Sequence, residues 1–221
     1  MIDGSTNTVV ATIANMSDPF GVAVNSITNQ VFVSNLNGNN VAVIDGATNT
    51  IITTVPVGNT PAGVRANSAT NLIYVANVGS GTISVIDGTT DTVTNTFTLP
   101  PSAGPGIIAL DPITNHLFIT DGFNKVVYVL DASAGTLLKT IIGGKVPFKS
   151  PVYVAMFQPG KSVLISDDST LSAVIEVNEG TYAATGGLKG GSGPYGFAVN
   201  RKTGTIYVAE SSSGTVIAYI Q

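Results

Sequence analysis

The sequence has no cysteine, no tryptophan and a single histidine, His116. Without cysteine there is no disulfide, no thiolate nucleophile and no zinc–sulfur centre. One histidine and no cysteine leave little support for Ser–His–Asp or Cys–His catalysis, and His116 reads as a surface residue. Charge is scarce too. Charged residues make up 10% of the 221, against about a quarter in an average domain. Solubility therefore rests on Thr, Ser, Asn and Gly. With a net charge of −4 a nucleic-acid footprint is not expected. Residues 1–124 carry one cation, Arg65, whereas residues 125–221 mix both signs without a basic patch. No apolar run approaches the roughly 18 residues a membrane helix needs, so no span is expected. No signal peptide is expected in this chain either, because Met1-Ile2-Asp3 starts inside a repeat.

What is present is a period. Four columns recur along the chain. Prolines open each unit at Pro19, Pro61, Pro105, Pro151 and Pro194. An amide or acid ends the second apolar run at Asn35, Asn77, Asp121, Asp167 and Glu210. An acid ends the third run at Asp45, Asp87, Asp131 and Glu176, with Asp3 ahead of them. Thr12, Thr54, Thr96, Thr140 and Thr185 mark the fourth. The first two columns advance in step, by 42, 44, 46 and 43 residues.

Each unit holds four short alternating runs bounded by Gly, Asn, Asp and Thr. In the first unit these are Val22–Val24, Val31–Val33, Val41–Ile44 and Ile51–Val55. Runs of this length and spacing predict antiparallel meanders, and four-stranded units of about 40–50 residues predict β-propeller blades. In Ile-Asp-Gly the carboxylate is expected to bond its own turn, with the glycine taking positive φ.

The blades fall near 19–55, 61–97, 105–141, 151–185 and 194–220. Residues 8–13 match a fourth strand, and the last unit shows only three. The expected fold is therefore an all-β, five-bladed propeller in one domain, residues 1–221, closed by the N-terminal strand completing the C-terminal blade.

The text Asn71-Leu72-Ile73-Tyr74-Val75-Ala76-Asn77, followed by Val85-Ile86-Asp87-Gly88, resembles the YVTN-type β-propeller repeat. Asn29–Asn35 with Val43–Gly46 repeats it closely. Blades three and four carry weaker versions. The resemblance implies a propeller fold and a secreted or cell-surface setting. Members of that family are similar to lactonases, quinoprotein-like proteins and surface-layer proteins.

In a propeller the second-strand column rings the mouth of the channel. Asn35, Asn77, Asp121, Asp167 and Glu210 are the candidate ligand-binding set. Asp121, Asp167 and Glu210 are candidate ligands for Ca²⁺ or another divalent cation, with Asp168 and Asp18 nearby. The competing reading gives these residues to the turns. Arg65 stands in a column otherwise filled by Ala23, Ala109, Ala155 and Ala198. It is either hydrogen-bonded to neighbouring loops or an anion anchor that would claim the same carboxylates. Phe20, Tyr153 and Tyr195 floor a ligand or plug the space between blades. Gly186 and Gly187 read as part of a loop, and Asn15-Met16-Ser17 is the one glycosylation sequon. The leading functional expectation is a non-enzymatic, secreted or cell-surface binding or scaffold module whose partner is a small molecule, glycan or protein. The alternatives are a metal-assisted lactonase or lyase at the mouth, and a self-assembling surface-layer or filament subunit.

Overall fold

The computed structural model describes residues 1–143, 148–157, 161–168, 173–189, 193–200 and 202–220. Among them there is no helix, and the strands form the blades of an all-β, five-bladed propeller. The chain divides into two compact units, Met1–Thr98 and Leu99–Gln221.

The first unit opens with a short hairpin, β1 (Ile2–Asp3) and β2 (Thr8–Val9). Blade one follows as β3 (Pro19–Asn25), β4 (Gln30–Asn35), β5 (Asn40–Asp45) and β6 (Thr50–Pro56). Blade two is β7 (Pro61–Asn67), β8 (Leu72–Asn77), β9 (Thr82–Asp87) and β10 (Thr92–Thr98). The second unit holds blade three, β11 (Ile108–Asp111), β12 (His116–Asp121), β13 (Val126–Asp131) and β14 (Leu137–Ile141). Blade four is β15 (Pro151–Phe157), β16 (Ser162–Asp167), β17 (Ala173–Asn178) and β18 (Ala184–Lys189). Blade five is β19 (Pro194–Val199), β20 (Ile206–Glu210) and β21 (Thr215–Tyr219). Every sheet is an antiparallel meander in chain order.

Alternation decides what each sheet buries, because successive side chains point to opposite faces. In blade one Ala23, Phe32 and Val43 lie in register on one face. They pack with Val64, Ile73, Val75 and Ile86 of blade two. Leu164, Phe157 and Val174 of blade four meet Phe197, Ile206 and Val208 of blade five in the same way. The core is thus a series of layers between blades. Each of the four complete blades also carries a bulge in its last strand, at Ile52, Thr94, Leu138 and Thr185, which adds local twist to that edge.

Tight polar turns join the strands at one end of each sheet. Asp45 Oδ1 accepts from the N–H groups of Ala47 (2.7 Å) and Thr48 (3.0 Å). Asp87 accepts from Thr89, Asp131 from Ser133 and Ala134, and Asp3 from Ser5 and Thr6. These are the carboxylate-to-turn bonds expected from sequence. The glycine role is different. Gly46 and Gly88 are absent from the left-handed region, which Asn49 (φ 59°) and Asp91 (φ 51°) occupy three residues later. Glycine is needed there for clearance. A Cβ at Gly88 would stand 2.5 Å from Asn71 Oδ1, and one at Gly46 2.6 Å from the Asn29 carbonyl.

Two column assignments change with the register. Glu176 pairs with Leu164, in the position of Val43, Val85 and Val129, and accepts from Ser162 Oγ at 2.6 Å. Asn178 fills the turn position in blade four, accepting from Gly180 and Thr181. Thr185 is the bulge residue, and Gly187 takes the register place of Thr54, Thr96 and Thr140. Sequence counting misplaced both because blade four spaces its third and fourth runs differently. Gly186 and Gly187 consequently lie within β18, not in a loop.

The ends differ from the closure expected from sequence. Ile2↔Val9 and Asp3↔Thr8 reproduce the register of Ile44↔Ile51 and Asp45↔Thr50, so residues 8–9 do begin a fourth-strand pattern. Their partner is β1, held further by the N–H of Val10 bonding the Met1 carbonyl at 3.0 Å. The fifth sheet has three strands.

Two predictions follow from the turns. Gly88→Ala should destabilise the protein by about 1–3 kcal/mol through overpacking, whereas Gly4→Ala, with nothing within 4 Å of its Cβ, should be neutral in the same denaturant titration. Asp91 is pushed above the usual 3.8 by burial and then by Asp87, and its buried Oδ1 has no hydrogen-bond partner. A raised folded-state pKa destabilises once pH exceeds the unfolded value. Asp91→Asn should therefore raise the melting temperature at pH 7 and have little effect below the ordinary aspartate range.

Candidate functional site

The proline column and the second-strand column move together because they face each other. Pro19 pairs with Asn35, Pro61 with Asn77, Pro151 with Asp167 and Pro194 with Glu210.

In the first unit Asn35 is buried and donates through Nδ2 to Asn40 Oδ1 at 2.7 Å. Asn77 is fully buried and donates to Thr82 Oγ1 (3.1 Å) and Ser84 Oγ (2.9 Å). The Oδ1 atoms of both are buried without a hydrogen-bond partner. Thr82 and Ser84 border a shallow hollow of about 380 Å³ with Pro56, Gly58 and Ser80. A Cβ on Gly58 would meet the Asn77 amide carbon at 2.7 Å, so the chain passes directly over that amide.

In the second unit the column is acidic. Asp121 Oδ2 accepts from the N–H of Gly104 and from Asn124 Nδ2, and Oδ1 from the N–H of Asn124, all at 2.9 Å. Asp167 is gripped by two successive backbone donors, Lys149 N–H on Oδ2 (2.8 Å) and Ser150 N–H on Oδ1 (3.0 Å). Both carboxylates therefore anchor the segment that leads into the first strand of their blade. An amide offers one acceptor oxygen, whereas a carboxylate offers two. That explains why acids replace asparagine on these blades. Glu210 is different. It is 2% exposed, and neither carboxylate oxygen has a hydrogen-bond partner among the described residues.

Among the described residues no three His, Asp or Glu side chains are grouped so that they could hold a metal ion. Asp121, Asp167 and Glu210 form no such group, and Asp121 and Asp167 bond to loop N–H groups. Asp18 and Asp168 are both exposed, and Asp18 Oδ2 accepts from Asn37. Arg65 lies half-buried on β7 opposite Tyr74, in register with Ala23, Ala109, Ala155 and Ala198, as the alanine column predicts. Tyr153 packs edge-on against Phe197 with ring centres 5.1 Å apart, a plug between blades four and five. Phe20 and Tyr195 are about half exposed. His116 is half-buried and within 3.2 Å of the Tyr182 hydroxyl, so it is an interblade residue rather than a surface one.

One polar column escaped the sequence reading. Asn25, Asn67, Asp111 and Asn200 end the first strands and accept from turn N–H groups through their side chains. The readable signal was an Asx residue four positions before a left-handed one, at Asn29, Asn71, Asn115 and Gly204.

No family model matches the chain, and no curated protein sequence does. Solved structures do. A 6-phosphogluconolactonase-like protein from Bacteroides fragilis superposes with a TM-score of 0.79 at 15% identity, covering 100% of this chain and 71% of that one. Kuenenia stuttgartiensis hydrazine synthase gives 0.69 at 15% identity, covering 100% and 88%. At this identity the likeness concerns the fold: the chain is similar to β-propellers.

Asp167→Ala should cost about 1–3 kcal/mol by leaving two backbone donors unpaired, and Asp167→Asn less, in chemical denaturation. An unchanged midpoint for the alanine variant would remove the anchoring role.

Proposed function

We propose that this chain is a non-enzymatic binding or scaffold module built from propeller blades, with a glycan or protein as partner. The observation that supports it most is the use of Asp121 and Asp167: their carboxylate oxygens accept from loop N–H groups, which gives both residues a structural task. The resemblance to the YVTN-type repeat and the Thr- and Asn-rich, charge-poor composition favour a secreted or cell-surface setting.

The second reading is a lactonase. It is favoured by the buried, unpartnered carboxylate of Glu210 and by the fold shared with the 6-phosphogluconolactonase-like protein. A buried carboxylate that accepts no hydrogen bond from the described residues is a candidate base for hydrolysis of a sugar-acid lactone.

The two readings separate in a pH-stat assay of 6-phosphogluconolactone hydrolysis, with and without a chelator. The scaffold reading predicts a rate equal to buffer in both. Turnover that Glu210→Gln abolishes, while the melting temperature holds, would replace it with the lactonase.

A further inference from the structure

Because the blades repeat, a position where one departs from the others is read from the register. Val33, Val75, Ile119, Ile165 and Val208 stand in equivalent places on the second strands. Their partners on the third strands are Ala42, Ser84, Tyr128, Ile175 and Ile217. Blades three, four and five thus set a large side chain there, and blade two sets a serine. Ser84 and its cross-strand neighbour Thr96 border the hollow of about 380 Å³, together with Ser80, Thr82 and the apolar Val57 and Val93. All six belong to the first compact unit. The volume lies within the roughly 300–1,000 Å³ of small-molecule sites.

Blade three shows what fits such a place. The turn from Asp121 to Val126 has the same length as the turn from Asn77 to Thr82, so Asn124 is the equivalent of Ser80 and Tyr128 of Ser84. Tyr128 reaches back along its strand until Asn124 Nδ2 donates to its hydroxyl at 3.2 Å. A phenol ring set at the place of Ser84 would likewise run toward Ser80. The hydroxyls of the hollow suit one. Ser80 Oγ accepts from the Asn59 N–H at 2.7 Å, and Thr82 Oγ1 and Ser84 Oγ accept from Asn77 Nδ2 at 3.1 and 2.9 Å. A hydroxyl that accepts one bond still carries a proton to donate. Asn77, which orients two of the three, is fully buried, so the fold sets their positions.

We propose that the hollow beside Ser84 on blade two binds a neutral phenol ring, placed as Tyr128 is placed on blade three, with its hydroxyl against Ser80. The lining narrows the chemistry. It contains no ionisable side chain, so a carboxylate or phosphate would lose water without gaining a counter-charge. A plain hydrocarbon would leave the hydroxyls of Ser80, Thr82 and Ser84 without an acceptor. A phenol meets both conditions, with a ring for Val57 and Val93 and an oxygen for the hydroxyls. Free phenols and the tyrosines of a partner protein carry the same ring, and the test separates them. The scaffold and lactonase readings do not use this hollow, so the proposal stands apart from both.

The test is an amide NMR titration of the full chain at neutral pH with p-cresol, and with toluene, which lacks only the hydroxyl. The signals of Ser80, Thr82, Ser84 and Thr96 should move together and saturate with a Kd of about 1 mM, the scale for a ligand of this size. Toluene should bind at least about twofold more weakly, the low end of one hydrogen bond. Ser80→Ala should weaken p-cresol roughly two- to tenfold and leave toluene as it was. Ser84→Tyr supplies the ring from the chain itself and should abolish the response to p-cresol while the melting temperature holds. Ser80 is exposed, so its variant decides the matter even where the larger exchange at Ser84 unfolds the blade. Saturation of the same signals by N-acetyltyrosinamide as well assigns the ring to a partner's tyrosine, and saturation by p-cresol alone to a free phenol. The proposal is overturned by signals that stay still up to about 20 mM p-cresol, by toluene binding as tightly, or by Ser80→Ala leaving p-cresol binding unchanged.

Discussion

A blade of this protein cannot bury its own faces, so everything rests on one blade's sheet meeting the next. The contact between Phe32 and Val43 of blade one and Val64, Ile73 and Val75 of blade two sets the requirements for the other positions. The first strands must come close, which calls for glycine at position 21 and small residues at 23 and 62. The connections must turn sharply, which calls for Asx residues followed by a left-handed position. Repeat architectures draw their stability from such nearest-neighbour terms more than from any single centre.

The scarcity of charge fits this design. Among the described residues several carboxylates serve as local acceptors. Asp45, Asp87 and Asp131 are held below the usual aspartate value of 3.8 by turn N–H groups, most strongly by Thr48, Thr89 and Ala134 respectively. Their contribution is present above the unfolded pKa and is lost as pH falls through the lower, folded value. Asp121 and Asp167 perform a similar task at the other end of the sheet. There the anchored donors belong to the segments ahead of the first strands.

Much of this was legible in the sequence, and the misreadings have physical causes. The proline and second-strand columns advanced together because they pair across β-strands, as Pro61 does with Asn77. Arg65 was correctly placed in an alanine column. Glu176 and Thr185 were misassigned because an acid and a threonine happened to fall near the expected spacing in blade four. Only the register shows that Asn178 and Gly187 fill those places. The drift from Asn77 to Asp121, Asp167 and Glu210 suggested a cation site. A sequence reports the charge of those residues but not the loop N–H groups that face them. Among the described residues Glu210 is the one member of the column whose side chain has no hydrogen-bond partner.

The central claim is that Asp121 and Asp167 fasten the backbone ahead of the first strands of their blades. Amide hydrogen exchange at Gly104, Lys149 and Ser150 reads it directly. These three N–H groups precede the first strands of their blades and belong to no strand, so only the carboxylates of Asp121 and Asp167 would protect them. Protection comparable to that of the neighbouring strand amides is the predicted result. Exchange at the rate of an open loop would contradict the account.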